Sequence, residues 1–213
     1  AQPSSVYTDT YSEAQDILKA EAPKATNGLA IAINNANEGN VARLFSSVKF
    51  DYSTWFTDNE VSNSYIKKTI STTTPGSEIL GYNNTAIIEK VGESYNEAQT
   101  GSGEFMTILT AFRTANEVSS NCSKWYLPSY AELKQIQDNY ATIEASIQKA
   151  NGTLAQFSDF ATNTTDKFYW SSDLRGGQYG WVSPLVETAA DVNLYITRNS
   201  NNYKGYFRFA IAF

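Results

Sequence analysis

An α+β domain is the fold this sequence predicts, and three observations carry the prediction. Two amphipathic stretches, 104–118 and 130–149, place apolar residues at helical spacing. Short apolar or aromatic runs that suit strands stand near both ends, at 29–33 and 206–213. No regular alternation of strand and helix joins them, which argues against a parallel βαβ sheet.

In chain order, residues 1–27 read as a lead segment. Tyr7, Tyr11, Ala14 and Leu18 follow helical spacing, and Ala22-Pro-Lys-Ala-Thr-Asn-Gly28 breaks the pattern with Pro and Asn-Gly signals. A linker and a packed helix both fit; the packed helix is favoured, because its apolar stripe otherwise stays in water. Leu29-Ala-Ile-Ala-Ile33 suits a central strand. The stretch 34–82 is rich in Asn, Ser, Thr and Gly with aromatic islands, and reads as short strands and ordered loops. A brief helix is expected over 85–91, after Gly81-Tyr-Asn-Asn84. Phe105, Ile108, Leu109, Phe112, Ala115 and Val118 then form the stripe of a firmer helix.

The corner Trp125-Tyr-Leu-Pro-Ser129 is mechanically legible. Pro128 holds Leu127 extended, and Ser129 with Glu132 three residues on is a capping box, so a helix begins there. Leu133, Ile136, Tyr140, Ile143 and Ile147 carry that helix to about Lys149, with Asn151-Gly152 as its stop. Beyond Phe168-Tyr-Trp170 the chain reads as strands and turns around 181–186, 192–197 and 206–213. Trp125 and Trp170 are expected in the core, where a buried indole fixes how helix and sheet meet.

Composition excludes several function classes. At 213 residues, with 41% hydrophobic and 18% charged residues, the chain is globular and can bury a real core. A net charge of −6 and a pI near 4.7 argue against nucleic acid and anionic membrane surfaces. There is no histidine, which removes the commonest general base and transition-metal ligand. A single cysteine, Cys122, rules out an intramolecular disulfide, a thiolate zinc site and a CxxC pair, and reads as a small semi-buried residue. No run approaches the length of a membrane-spanning helix. The only methionine is Met106, so Ala1 is not expected to be a translation start, and any secretion signal or lipid anchor is expected to have been removed.

The succession Gly28-Leu-Ala-Ile-Ala-Ile33, Gly81-Tyr-Asn-Asn-Thr85, Trp125-Tyr-Leu-Pro-Ser129 with Glu132-Leu133, Tyr169-Trp-Ser-Ser172 and a last strand with Arg208 and Phe213 resembles a bacterial family. It is the Lcl C-terminal type domain, long catalogued as a domain of unknown function and found in many exported proteins. The resemblance covers residues 28–213. It implies a C-type-lectin-like fold: two helices beside a small antiparallel sheet, paired N- and C-terminal strands, and long loops carrying the ligand surface. Leu29–Ile33 then pairs near Phe207–Phe213. The chain departs from the family where many relatives carry a second arginine and this one has Ala210-Ile-Ala212, and over the long, poorly matched 34–82.

The resemblance opens two chemistries, and a Gly-rich segment invites a third. Animal C-type lectins bind sugar through calcium, which needs six to eight oxygens. Their Glu-Pro-Asn and Trp-Asn-Asp triplets are absent, so calcium is not expected. Asp159, Asp166, Asp173, Glu187 and Asp191 read as solvated loop acids. Formylglycine-generating enzymes share the broader fold, but their chemistry depends on cysteines that this chain lacks, and no catalytic set stands out. Arg175-Gly-Gly-Gln-Tyr-Gly180 lacks the Gly-Lys-Ser/Thr ending of a phosphate loop and reads as a turn.

A binding surface has more behind it. Tyr179, Trp181, Asn193, Tyr195, Arg198, Asn199, Asn201, Asn202 and Tyr203 combine rigid amphipathic rings, adaptable amides and a planar guanidinium. In the resembling fold this segment forms the ligand-facing loops, and the turn Asn199–Tyr203 is expected to be exposed. Trp181 and Tyr195 suit a core position as well as a surface one. The sequence therefore points to a non-catalytic exported surface module, adhesin-like, recognising a host or bacterial surface glycan or protein. A pilus or surface-assembly subunit, partnered by other pilus subunits, is the alternative. An enzyme of the formylglycine-generating fold group comes third.

Overall fold

The computed structural model describes residues 15–44, 78–94, 103–157, 167–175, 179–185, 195–197 and 203–213. Among them the elements run α1 (Ile17–Glu21), β1 (Leu29–Ile31), α2 (Gly81–Ser94), α3 (Gly103–Ala115), α4 (Tyr130–Asp138), α5 (Tyr140–Lys149), β2 (Tyr169–Arg175), β3 (Tyr179–Ser183), β4 (Tyr195–Thr197) and β5 (Ala210–Ala212). The architecture is α+β, with small antiparallel sheets among helices. One sheet joins the two ends of the described chain: Leu29 pairs with Ala212, Ala30 with Ile211 and Ile31 with Ala210. The other has the order β2-β3-β4.

The main core lies where α2 and α3 meet the strands. Leu44, Ile87, Phe105, Leu109, Leu127, Phe168, Trp170, Val182, Phe207 and Phe209 pack there, all fully buried. Trp170 meets Phe168 edge-on, and its indole N–H donates to the Ala42 carbonyl at 2.9 Å, so the ring is both packed and satisfied. Its expected core position is met. That of Trp125 is not. Its ring is half-buried, lies edge-on against Phe112 with centroids 5.4 Å apart, and donates to the carbonyl of Asn116. The indole closes the end of α3 at the rim of the core, because its N–H finds its acceptor at the surface.

Other expectations are revised in physical terms. Leu29–Ile31 forms an edge strand rather than a central one, and Leu29 and Ile33 are 41% and 44% exposed. The helix expected over 85–91 begins at Gly81, because the side chains of Asn83 and Asn84 bond to neighbouring elements instead of closing a local turn. α3 stops at Ala115, where the Asn116 side chain bonds the Phe112 carbonyl, and Val118 is left exposed. The single helix expected over 130–149 is broken at Asn139, whose side chain donates to the Gln135 carbonyl at 2.9 Å. The expected stop at Asn151-Gly152 is a Schellman motif. Asn151 takes a left-handed φ of 58°, and the N–H groups of Asn151 and Gly152 bond the carbonyls of Gln148 and Ile147.

Residues before β1 belong to the packed body as far as they are described. Leu18 of α1 is buried with Ala22, Ala25, Tyr82, Tyr126, Ala210 and Ala212. Asp16 caps α1 by accepting from the Lys19 N–H, while Asn83 on α2 accepts from Ile17 N–H and donates to the Asp16 carboxylate. Residues 1–14, with Tyr7, Tyr11 and Ala14, lie outside the described residues.

Candidate functional site

Three of the nine candidate binding residues fall on paired strands. Tyr179 and Trp181 stand on β3 and Tyr195 on β4, with Trp181 opposite Tyr195 and Tyr179 opposite Thr197. The two-residue period of a strand puts positions 179, 181 and 195 on one face of the sheet. Asn193, Arg198, Asn199, Asn201 and Asn202 lie outside the described residues. Tyr203, expected at an exposed turn, is half-buried and packs against the main core cluster.

The chain leaving β3 is held by residues 156 and 157. The Phe157 N–H donates to the Pro184 carbonyl at 3.0 Å, and the Gln156 side chain donates to the Leu185 carbonyl at 2.6 Å. Leu185 itself is buried with a φ of 57°, an uncommon state for a branched side chain that its surroundings must maintain. Arg208, 1% exposed, fixes a second corner. Its guanidinium donates to the carbonyls of Ala32 and Thr153 and lies 6.0 Å from the centre of the Tyr169 ring.

Three of the motifs that carried the family resemblance, those at 81–85, 125–133 and 169–172, meet at one buried polar junction. There the N-terminal ends of α2 and α4 meet β2. Ser129 and Glu132 form the expected capping box. Glu132 accepts from the Ser129 N–H with one oxygen and from the Tyr126 hydroxyl, at 2.9 Å, with the other. Asp173 accepts from the Tyr130 N–H and from the Asn84 amide, which also donates to the Ser172 hydroxyl. The Thr85 hydroxyl is bonded to both the carbonyl and the N–H of Leu127.

Burial sets the electrostatics of this junction. It pushes the Asp173 carboxyl up to about 8, helped by the charges of Glu132 and Glu78 and opposed by the bonds from Tyr130 and Asn84. Burial also raises Glu132, against the lowering effect of the bonds from Ser129 and Tyr126. The Tyr126 phenol is held well above its ordinary range by burial and by Glu132 beside it, so it remains a donor. Asp173 is therefore a buried anchor and not the solvated loop acid that the sequence reading expected. Asp159, Asp166, Glu187 and Asp191 lie outside the described residues. Among the described residues, no group of three or more histidine, cysteine, aspartate or glutamate side chains is placed to hold a metal ion. Sequence reasoning missed Asp173 because its only local signal is to follow Tyr169-Trp-Ser-Ser172; its partners come from residues 84 and 130.

No protein-family model matches the chain. A Bacteroides ovatus protein with the provisional name fimbrium tip subunit Fim1C is similar in sequence, 23% identical over 97% of this chain and 39% of its own length. Among solved structures, a fimbrial protein from Bacteroides ovatus is similar in fold, with a TM-score of 0.73 and 17% identity over 100% of this chain and 42% of that one. The chain thus spans about two-fifths of each relative.

Proposed function

We propose that this chain is a domain of an exported fimbrial subunit, placed at the cell surface with other pilus subunits as partners and without catalytic activity. The observation that carries the reading is the likeness along the whole chain to fimbrial proteins, in sequence over 97% of it and in fold over all of it. A structural or assembly role accounts for this more directly than a dedicated adhesin, since no glycan or protein ligand enters into the likeness. The Lcl C-terminal type and the C-type-lectin-like fold remain part of the proposal. They are supported by the pairing of β1 with β5 and by the meeting of the motif residues Asn84, Ser129, Glu132 and Ser172 at one junction. Shearing fimbriae from producing cells tests the placement. The subunit is expected in the sheared, sedimenting fraction, and recovery only from the cell interior would overturn it.

A second reading rests on the paired positions of Trp181 and Tyr195. In it, Tyr179, Trp181, Asn193, Tyr195, Arg198, Asn199, Asn201, Asn202 and Tyr203 form a surface for a glycan or a protein. A glycan and protein array, run with and without calcium, is the test. Binding that is lost in the Asn201→Ala, Asn202→Ala variant supports this reading, and an array without signal in either condition removes it.

A further inference from the structure

Outside that strand surface, a half-open cavity of about 510 Å³ lies between β1 and the corner of α4 and α5. One wall carries Leu29, Ile31 and Ile33, and the other Ile136, Ile143 and Ile147; among the described residues no aromatic residue, Lys or Arg lines it. Among the described residues the one acid there is Glu132, whose two oxygens are already engaged by Tyr126 and Ser129. A sugar would meet no stacking ring, and an anionic head no cation. Gln135, Asn139, Thr142 and Ser146 also line it, with the Asn139 amide and the Ser146 hydroxyl already donating to the carbonyls of Gln135 and Thr142.

The edge of β1 adds hydrogen-bonding groups. Gly28 exchanges both backbone bonds with Phe213, and Ala32 N–H donates to the Phe209 carbonyl. The antiparallel alternation therefore turns the N–H and C=O of Leu29 and Ile31 away from β5. The next outward carbonyl, that of Ile33, is taken by the Thr153 N–H at 3.0 Å. Among the described residues, open edge is left at Leu29 and Ile31, too short to seat an added protein strand, whose usual length is about five or six residues. It suits one or two hydroxyl or amide groups of a small ligand.

We propose that this cavity binds an uncharged amphiphile, its aliphatic chain lying between the isoleucine walls and its hydroxyl or amide head bonded to the open edge of β1. Volume and lining match an ordinary small-molecule site, and an uncharged ligand suits a lining whose one described ionisable group, Glu132, is already bonded within the protein. The site does not depend on the fimbrial placement.

Melting curves of the purified chain with 1-decanol as probe, and with decanoate and maltose as controls, test the proposal. At about ten times its Kd, 1-decanol is expected to raise Tm by about 3–6 °C. Decanoate should bind at least tenfold more weakly, and maltose should leave Tm unchanged. The variant Leu29→Asn, Ile143→Asn alters only exposed and half-buried side chains; it should fold and lose the decanol affinity at least tenfold. An unshifted wild-type Tm, or an affinity unchanged in the folded variant, overturns the proposal. So does a dimer in sedimentation that Leu29→Asn dissociates, since a second copy would then occupy the cavity. Tighter binding of an Ala-Val tetrapeptide than of 1-decanol would likewise overturn it.

Discussion

Asp173 shows how one side chain couples the motifs to the solvent. Its carboxyl is buried between the start of α4 and Asn84, with a folded-state value of about 8 against an ordinary 3.8. Because the folded value is raised, this group's contribution is fully favourable below about pH 4 and is lost as pH climbs toward 8, by at most about 1.4 kcal/mol per pH unit. Glu132, raised by burial as well, acts with the same sign. Asp173→Asn keeps an acceptor for the Tyr130 N–H and removes the titrating proton, and its new NH2, which takes the place of the oxygen facing Asn84 Nδ2, is accommodated when the Asn84 amide turns over. Urea denaturation across pH 4–8 is expected to show a falling stability for the wild type and a flatter profile for the variant, with the variant the more stable at pH 8. A variant as steep as the wild type would mean that Asp173 is ionised without penalty.

The tryptophans give a second contrast at this scale. Trp170→Ala empties a fully buried, hydrogen-bonded site and is expected to cost about 3–5 kcal/mol. Trp125→Ala removes a half-buried ring at the rim and should cost about 1–2 kcal/mol. Equal losses in chemical denaturation would contradict the difference in burial. Both residues sit in aromatic motifs and look alike in sequence. What separates them is the acceptor each N–H finds, Ala42 in the core or Asn116 at the end of α3.

At the scale of elements, capping signals were the most readable. Ser129 with Glu132 and Asn151 with Gly152 mark their helix ends because the groups that satisfy the orphan backbone positions are local. Long-range satisfaction was not readable. The Asn83-Asn84 pair looks like a turn, yet it opens α2, since its amides are spent on Ile17, Asp16, Ser172 and Asp173. Gly81 makes that approach feasible. A Cβ there would lie 2.2 Å from Glu132 Oε2 and 2.7 Å from the Ser129 backbone nitrogen. Gly81→Ala is therefore expected to cost about 1–3 kcal/mol, the range for overpacking a tight site, despite the better helix propensity of alanine. A stabilised Gly81→Ala in thermal unfolding would show that α2 and α4 are not so closely apposed.

For the whole molecule, the α+β class was legible because helical stripes and apolar runs are patterns within the chain itself, whereas the closure of β1 on β5 was implied by the family resemblance and not by those patterns. That β1 would be an edge was not legible, since Leu29 and Ile33 are as apolar as residues of a central strand and only the sheet order decides. Of the candidate binding surface, the pairing of Trp181 with Tyr195 was not legible, since sequence placed strands around 181–186 and 192–197 without their partners, and Tyr203 is half-buried against the core. The fimbrial reading came from likeness along the chain and from no single residue. Immunogold electron microscopy of producing cells, with antibody raised against this chain, tests it most directly. Gold on the fimbriae is the result expected; surface fibres that stay unlabelled beside labelled cell bodies would contradict it.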